Sequence, residues 1–442
     1  NLPRFGFPSD SAPTAFQQVF APQFAQGIGI DRTMVALTVK NGHTRIYLTD
    51  GTQNTLGILG PLASNFWRVD NANQPAAALL ASQGPGAAEP SPANTFPATY
   101  NGWQKLTSHS TASPFFATDD FCWQQCWYDE EVYSPAGRPD TVYVIGAFQY
   151  GEPACNTKGA LCGNGRSNGR AVLYSTTAGD PDAANNLRTF TDLTNDARDM
   201  PAPWCALAPY GLNGCLRAPN GIHPDQHAIV VNPGNPTQIF EGSDGAVIRT
   251  SGAFADISSQ CDDPGRSGGG PLPPTSGSYL ACKRLLSRVP TALDHIDNRI
   301  GSTIQFINVA INPANSCEVM GGTQDNGTWS NNNGCSRDTF NQVIYGDGGN
   351  AVYDATNPTW RANEFTGGLG DSNFRNGDPE RWVIATAPLV NSGEPFAFYW
   401  PQIGDPNPAP GTHPIYNGGL HVWRSWAFGA GTPGAVPQDT TP

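Results

Sequence analysis

The stretch DQHAIVVNPGNPTQIFEGSDGAVIRTSG, which runs from Asp225 to Gly252, decides the fold. It holds three short runs of apolar and β-branched residues, separated first by Asn, Pro and Gly and then by Asp-Gly. Such runs predict strands, and the separators predict tight turns, because Asn, Asp and Gly tolerate the positive φ that hairpins need. The stretch therefore predicts three consecutive antiparallel strands.

The same pattern recurs along the chain. Further copies are found at Thr33–Gly51, Tyr128–Phe148, Phe306–Asn332, Gly348–Phe365 and Trp382–Trp400. The second of these continues into GRAVLYSTTAG and FTDLT, which predict its third and fourth strands. A sheet of three or four strands cannot bury both of its faces alone, so a radial stack of such sheets is expected.

We therefore predict an all-β fold: a single β-propeller of six or seven blades, each with three to four antiparallel strands, and with long disulfide-stapled loops. No segment shows helical periodicity over four turns. Thr291–Ile300 is the one segment for which we expect a short helix.

We divide the chain into an N-terminal segment (1–30), a propeller (31–428) and a Gly/Pro/Thr-rich tail or linker (429–442). The last copy ends near Phe428 without a fourth strand. A propeller must close its ring, commonly by pairing an N-terminal strand into the last blade, so Thr14–Gln23 is expected to supply the missing strand. Otherwise the chain is part of a longer polypeptide.

Composition excludes several classes of protein. The 442 residues include 50 glycines and 40 prolines, but 38% hydrophobic residues and 11 tryptophans exclude a disordered chain. Charged residues make up 14%, the net charge is −13, and no basic patch is visible, so nucleic acid is not an expected partner. No stretch reaches the roughly 18 apolar residues of a membrane span.

The ten cysteines are even in number and lie close to one another in sequence, which predicts local disulfides in an oxidising compartment. We therefore predict a secreted or cell-surface protein. The alternative, a zinc site, lacks the paired Cys and His spacing that zinc requires. The predicted bonds are Cys122–Cys126, Cys155–Cys162, Cys205–Cys215, Cys261–Cys282 and Cys317–Cys335.

The motif D-x-H-A, followed by NP-x-NP and G-x-DG, resembles the Asp-box (BNR-type, sortilin-like) β-propellers. The resemblance is carried by Asp225, His227, Ala228, Asn232, Pro233, Asn235, Pro236, Gly242, Asp244, Gly245 and Ser251, and in a shortened form by Thr323, Asp325, Gly327 and Trp329. It implies the propeller fold over roughly residues 30 to 430. It does not imply one function, because that family includes sortilin ectodomains, xyloglucan-cleaving endoglucanases and sialidases.

Asp225 and His227 share one face of the first predicted strand, because residues two apart point the same way. They suit an acid–base pair or metal ligands, or a structural role in which the aspartate accepts backbone amides and the histidine fills a slot between blades. We favour the structural role, because the repeat places Asp347 where Asp225 stands. Asp244 and Asp325, in the turns of two copies, are also assigned as structural repeat residues.

The segment DDFCWQQCWYDEEVY, from Asp119 to Tyr133, is the best candidate for a ligand site. Carboxylates beside aromatic rings suit sites that bind or cleave sugars, and crowded carboxylates raise one another's pKa. Calcium is a second expectation, since it takes oxygen ligands. The alternative is a solvated acidic rim with tryptophans in the blade core. The ligand candidates are Asp129, Glu130, Glu131, Trp123, Trp127 and Tyr128, and the calcium candidates are Asp119 and Asp120.

No catalytic residue can be assigned. The sequence lacks the F/Y-R-I-P start of a sialidase, a G-x-S-x-G elbow and an HExxH zinc helix. Apart from calcium, no cofactor is expected. We predict an extracellular, non-catalytic module that binds a glycan or protein partner at one propeller face, with assembly into a complex with other copies or chains. The alternative is a carbohydrate-active enzyme, a glycoside hydrolase or polysaccharide lyase, with carboxylates at the channel mouth.

Overall fold

The computed structural model describes residues 17–21, 31–52, 64–83, 100–126, 129–149, 163–167, 169–194, 222–245, 247–264, 271–296, 305–331, 340–344, 346–379 and 381–430. Within these ranges the chain is mostly β, with six successive antiparallel sheets and one two-stranded ribbon. The prediction of an all-β chain is therefore confirmed.

The first three sheets follow one another along the chain. Sheet 1 contains β1 (Asp31–Lys40), β2 (His43–Thr52), β3 (Ser64–Val69) and β4 (Gln104–Lys105). Sheet 2 contains β5 (Glu130–Tyr133), β6 (Val142–Gly146), β7 (Ala171–Ser175) and β8 (Thr191–Asp192). Sheet 3 contains β9 (Gln226–Asn232), β10 (Asn235–Ser243), β11 (Val247–Thr250) and β14 (Leu293–His295), and between the last two the chain forms the ribbon β12 (Phe254–Ala255) and β13 (Val289–Pro290).

The second half repeats the plan. Sheet 4 contains β15 (Ala310–Ile311), β16 (Val319–Thr323), β17 (Gly327–Asn331) and β18 (Asn341–Ile344). Sheet 5 contains β19 (Ala351–Tyr353), β20 (Arg361–Glu364), β21 (Gly370–Asn373) and β22 (Trp382–Ile384). Sheet 6 has three described strands, β23 (Gln402–Gly404), β24 (Ile415–Gly418) and β25 (Val422–Ser425).

The helices are short. They are α1 (Ala76–Gln83), α2 (Gly277–Leu285) and α3 (Ala387–Asn391), together with 3₁₀ turns at Pro114–Thr118, Trp123–Gln125, Ala183–Asn185 and Ser258–Asp262. Ser276 begins α2 by accepting a hydrogen bond from the Tyr279 amide, as an N-cap residue does. No helix of the described ranges is long and apolar enough to cross a membrane.

The β1–β2 hairpin shows how local sequence sets the strands. Asn41 and Gly42 form its two-residue turn with φ of 52° and 78°, the conformation that an Asn-Gly pair prefers. Met34 and Ala36 pack on the core, while Val35, Leu37 and Val39 on the opposite face are 55%, 63% and 66% exposed. One face of the first strand is therefore apolar and open in the described structure.

The sheets meet at their first strands. β1 contacts β5, β5 contacts β9, β15 contacts β19, and β19 contacts β23. Sheets 3 and 4 meet through turns, where Nε2 of His223 hydrogen-bonds the Asp325 carbonyl at 2.8 Å and Nδ2 of Asn326 donates to the Asp244 carbonyl at 3.1 Å. A propeller requires this succession, but ring closure and the number of blades stay predictions.

The main apolar cores lie between neighbouring sheets. Alternate residues of β6 point to opposite sides, so Val142 and Val144 join the core shared with sheet 1, whereas Tyr143 and Ile145 join the core shared with sheet 3. Full burial of one such side chain contributes roughly 1.5–3 kcal/mol. Because both faces of β6 are buried, its sequence VYVIG is an unbroken apolar run.

The repeat predicted from the sequence is confirmed in sheet 2, where GRAVLYSTTAG and FTDLT supply β7 and β8 as expected. It is wrong at Trp382–Trp400, because Trp382–Ile384 is the fourth strand of sheet 5 and α3 follows it. The helix expected at Thr291–Ile300 is also wrong over its described part, since Leu293–His295 pairs with β11.

Two predicted disulfides are present, Cys122–Cys126 and Cys261–Cys282. Cys317 is disulfide-bonded, while its predicted partner Cys335 lies outside the described residues. The predicted pairs Cys155–Cys162 and Cys205–Cys215 lie there too. The confirmed bonds close a turn beside sheet 2 and fix α2 against the 3₁₀ turn at Ser258–Asp262.

The described part of the N-terminal segment, residues 17–21, lies against sheet 1. Phe20 packs edge-on to Trp67 and Trp103, with ring centroids 5.4 and 5.1 Å apart, and Nε1 of Trp103 donates to the Val19 carbonyl at 2.7 Å. These residues are not a strand. The closing strand expected at Thr14–Gln23 is therefore not formed over its described part.

We predict that Arg68→Ala destabilises the protein by about 3–5 kcal/mol, the usual penalty for breaking a buried ion pair. The Arg68 side chain is fully buried and joins sheet 1 to sheet 2, donating to the Ala178 carbonyl at 2.7 Å and to Asp180 at 3.0 Å. The measurement is urea denaturation. Arg249→Ala is the control, because its exposed ion pair with Asp294 should contribute about 1 kcal/mol or less. Equal losses in the two variants would contradict the prediction.

Candidate functional site

Five aspartates of different sheets meet at one end of the molecule. Asp129 directly precedes β5, Asp225 directly precedes β9, and Asp347 precedes β19, while Asp244 and Asp325 lie in the β10–β11 and β16–β17 turns. In an antiparallel meander, the start of the first strand and the turn between the second and third strands lie at the same end. We call Asp129, Asp225, Asp244, Asp325 and Asp347 the aspartate cluster.

His227 links two members of the aspartate cluster. Its Nε2 lies 2.5 Å from Oδ1 of Asp244, and its Nδ1 lies 3.4 Å from Oδ1 of Asp129. Burial alone would raise the pKa of Asp244, but the hydrogen bond and charge of His227, together with Asp325 and His223, outweigh burial and lower that pKa. The histidine side chain is 37% exposed, so it lies at the opening of the cluster.

Asp129 and Asp225 form the buried base of the cluster, with residue exposures of 0% and 7%. Within the described residues no N–H group forms a hydrogen bond to either oxygen of Asp129 or to Oδ1 of Asp225, and the two carboxyls contact each other. Burial raises the pKa of both groups, and in Asp129 the charge of Asp225 raises it further. Two carboxyls in contact hydrogen-bond by sharing a proton, so the pair holds one proton at neutral pH.

Asp325 and Asp347 form the half-buried side of the cluster. Oδ1 of Asp347 accepts the amide of Asp325 at 3.2 Å. Burial, followed by contact with the carboxyls of Asp347 and Asp244, raises the pKa of Asp325 to about 8. Tyr399 lies beside this side, and burial together with the charges of Asp347 and Asp325 raises its pKa.

The backbone is strained at two of these positions. Asp225 has φ of 65° and Asp325 has φ of 61°, in the left-handed region that few non-glycine residues adopt. Such strain is found preferentially at functional sites, where the surrounding structure must hold it.

The structure separates the ligand candidates of the segment 119–133. Asp129 belongs to the aspartate cluster, whereas the buried Glu130 points toward Thr49 and Asp50 of sheet 1. Burial raises the pKa of Glu130 well above its usual value. Glu131 is half-buried near Arg32, and Trp123 is half-buried in its 3₁₀ turn. Trp127 and Tyr128 lie outside the described residues.

The calcium candidates have other neighbours. The carboxylate of Asp119 contacts Nδ1 of His109 and lies 3.5 Å from Nη2 of Arg166, so it already has cationic partners. Asp120 is buried beside it with φ of 47°. Within the described ranges, no group of three or more His, Cys, Asp or Glu side chains is placed to hold a metal ion. The calcium prediction thus gains no support from this geometry.

The structural roles assigned to Asp225 and Asp347 differ in outcome. Asp347 does accept a backbone amide, that of Asp325. Asp225 does not use Oδ1 for that purpose, because no backbone amide of the described residues forms a hydrogen bond to that oxygen. Its backbone carbonyl instead accepts the Asp244 amide at 3.3 Å. Asp225 and Asp347 therefore occupy corresponding positions in the repeat, but their carboxyls do not make corresponding hydrogen bonds.

The sequence had placed the members of the aspartate cluster in two groups, a ligand patch and a set of repeat residues. The sequence repeat connects the two groups, because alignment of the copies places Asp129 at the position that His227 occupies in the Asp225–Gly252 copy. Tyr399 carried no such signal, since it lies in the loop between α3 and β23.

Comparisons with known proteins add little to this geometry. Neither a protein-family model nor a curated protein sequence matches the chain. Among solved structures, the xyloglucanase of family GH74 from Xanthomonas campestris is similar at 12% identity and a TM-score of 0.39, over 93% of this chain and 43% of that one. YCF48 from Cyanidioschyzon merolae is similar at 8% identity and a TM-score of 0.21, over 86% and 79%. This chain spans less than half of the xyloglucanase, and scores below 0.5 establish neither fold nor function.

We predict that Asp325→Asn stabilises the protein at pH 8 and leaves it nearly unchanged at pH 4. With a pKa of about 8 when folded and about 4 when unfolded, the carboxyl binds its proton more tightly in the folded state. As pH rises across that window, the unfolded state loses its proton first and the free energy of unfolding falls. Asparagine carries no charge and tolerates positive φ.

The measurement is urea denaturation at pH 4, 6 and 8, with a gain of about 1 kcal/mol or more expected at pH 8, the free energy of one pKa unit. Asp294→Asn, at an exposed ion pair, is the control and should show no such pH-dependent gain. A variant with the same pH dependence as the wild type would contradict the prediction.

Proposed function

We propose that the chain is an extracellular β-propeller module that binds a protein partner without catalysing a reaction, and that the aspartate cluster is its binding surface. The observation that carries the proposal is the meeting of five carboxyls of four sheets at one end, where no N–H group of the described residues forms a hydrogen bond to the buried oxygens of Asp129. Unsatisfied buried acceptors beneath an open surface favour a ligand that brings donors.

The chemistry of the cluster favours a basic group on the partner. The groups that act on its carboxyls are other carboxyls and two histidines, His223 and His227. Carboxyls with raised pKa are those that a positive charge would ionise and stabilise. A partner side chain of Arg or Lys supplies both the charge and several N–H donors.

The spacing of the carboxyls favours binding over glycoside hydrolysis. Catalytic carboxyls stand about 5–5.5 Å apart in retaining enzymes and about 6.5–9.5 Å apart in inverting ones. Asp129 contacts Asp225 directly, and Asp325 contacts both Asp244 and Asp347. No pair in that chain of contacts leaves room for a sugar bond or a water between its members.

One observation favours the alternative, a carbohydrate-active enzyme. Asp129 is buried with a raised pKa and lies 3.4 Å from an exposed histidine, and a protonated carboxyl beside a base is what acid–base catalysis requires. In that alternative, Asp129 donates the proton, and His227 orients the carboxyl of Asp129.

The proposal includes secretion and assembly with other copies or chains. Disulfides at Cys122–Cys126 and Cys261–Cys282 suit an oxidising compartment. The open apolar face of β1 and the exposed side chains of Ile403 and Val422 on sheet 6 suit burial against another chain.

We predict that the protein binds peptides that contain Arg or Lys and that Asp325→Asn weakens this binding about tenfold, the loss of one hydrogen bond to a charged group. Calorimetry against peptides with Gln in place of the basic residue supplies the comparison. Affinity should fall at high salt and rise as pH increases through about 8, because the ligand requires the ionised carboxyl.

The same samples should be tested on a panel of polysaccharides with detection of reducing and unsaturated ends. Equal binding of the basic and the Gln peptides would refute the proposal. Release of sugar ends that Asp129→Asn abolishes would establish the alternative. Asp262→Asn is the matched control for both, because that carboxylate is exposed and pairs with Lys283 on α2.

We also predict that Glu130→Gln leaves peptide affinity unchanged, although Glu130 adjoins Asp129 in sequence. Its carboxyl faces sheet 1, away from the aspartate cluster, and burial raises its pKa well above its usual value, so an uncharged side chain of the same shape suits this site. Calorimetry with the same peptides checks this. A loss of affinity without a change in melting temperature would return Glu130 to the ligand role predicted from the sequence.

A further inference from the structure

A cavity of about 310 Å³ lies between sheets 5 and 6, apart from the aspartate cluster. β21, the segment from β22 into α3, and all three strands of sheet 6 contribute to its wall. Its size falls at the lower end of the range typical of small-molecule sites. The lining residues used below are Asp371, Leu389, Ile415, Asn417, Trp423, Arg424 and Trp426.

The Asp371 carboxyl lines this cavity without a partner. Within the described structure it forms no hydrogen bond or ion pair, and burial alone raises its pKa to about 6. At neutral pH the cavity therefore holds an ionised carboxylate that forms no ion pair with any of the described residues. The Asp371 side chain is half-buried, and partial loss of water from a charge is unfavourable unless a ligand pairs with it.

A second acceptor of the cavity is also unsatisfied. Asn417 is 6% exposed, and its Oδ1 receives no hydrogen bond from the described residues. Two acceptors without donors call for a ligand that carries several donors on one atom, and an ammonium group carries three.

The remaining wall is apolar and aromatic. Leu389 and Ile415 are buried, and Trp423 is held in place because its Nε1 donates to Glu394 at 2.5 Å. The guanidinium of Arg424 lies 3.8 Å from the ring of Trp426, so this aromatic surface already accepts a cation. An apolar body with a cationic end fits such a wall, whereas a sugar would leave the carboxylate charge unpaired.

We propose that the cavity between sheets 5 and 6 binds a small primary amine, with its ammonium group on Asp371 and Asn417 and its apolar body against Leu389, Ile415 and Trp423. This site is separate from the aspartate cluster and does not depend on the function proposed for that cluster. The ligand forms no covalent bond in this proposal.

The test is calorimetry on the whole chain at pH 7.5 with three probes: benzylamine, benzyl alcohol as its neutral counterpart, and methyl β-glucoside. Benzylamine should bind at least about tenfold more tightly than benzyl alcohol, as expected for a charge-assisted hydrogen bond. Asp371→Asn should weaken benzylamine about ten- to a hundredfold and leave benzyl alcohol unchanged. Asp262→Asn, an exposed carboxylate outside the cavity, should bind like the wild type.

Asn417→Ala should weaken benzylamine by a smaller factor, about two- to tenfold. For the wild type, affinity for benzylamine should fall as pH drops below about 6, because the Asp371 carboxyl takes up a proton there. Arg424 is the other ionisable side chain among the described residues lining the cavity. This pH series tests the proposal even where a variant fails to fold.

Three results would overturn the proposal: equal affinity for benzylamine and benzyl alcohol, unchanged benzylamine binding in Asp371→Asn, or no binding of benzylamine at all. Binding of methyl β-glucoside in place of the amine would also overturn it and would assign the cavity to a sugar.

Discussion

The close approach of sheets at their first strands is the constraint on which the rest of the structure depends. Between sheets 4 and 5 backbone meets backbone: the Gly348 amide donates to the Thr323 carbonyl at 2.9 Å, and the Gly327 amide to the Gly346 carbonyl at 2.6 Å. A Cβ atom on Gly348 would lie 2.4 Å from the Gly327 carbonyl oxygen. Side chains at this end must therefore be absent or short, and short polar ones such as aspartate also serve the turns.

The aspartate cluster follows from that constraint. Sheets 2 to 5 each contribute a turn or a strand start to the same small volume, and aspartate is suited to both because it tolerates positive φ and accepts amides. An aspartate at such a position stabilises its own sheet. When three or four sheets meet, several aspartates together become unfavourable, because the carboxyls repel one another and lose water. The raised pKa values of Asp129, Asp225 and Asp325 reduce this repulsion, and His227 lies between Asp129 and Asp244. A carboxyl with a raised pKa is also one that a positively charged ligand can ionise.

The cavity between sheets 5 and 6 arises differently. It lies in the gap between sheets 5 and 6, and its wall consists of strands of both sheets and the segment from β22 into α3. Asp371 lies on β21 between Gly370 and Ser372, and within the described residues its carboxyl forms no ion pair, although Arg424 of sheet 6 lines the same cavity. The gap therefore contains a half-buried carboxylate beside apolar and aromatic side chains, and the two sites can change independently because they share no residue.

The sequence by itself determined those features that depend on neighbouring residues. The Asn41-Gly42 turn, the strands of sheet 2 and the bonds Cys122–Cys126 and Cys261–Cys282 all follow from local turn chemistry, alternation and short loops. Only the tertiary structure decided which distant segments pair. Leu293–His295 forms a strand because it pairs with the edge of β11, although the local sequence had predicted a helix. Trp382–Ile384 completes sheet 5 instead of starting sheet 6. The aspartate cluster belongs with these, since Asp129 and Asp325 meet through the stacking of sheets, and no local pattern records how closely sheets approach.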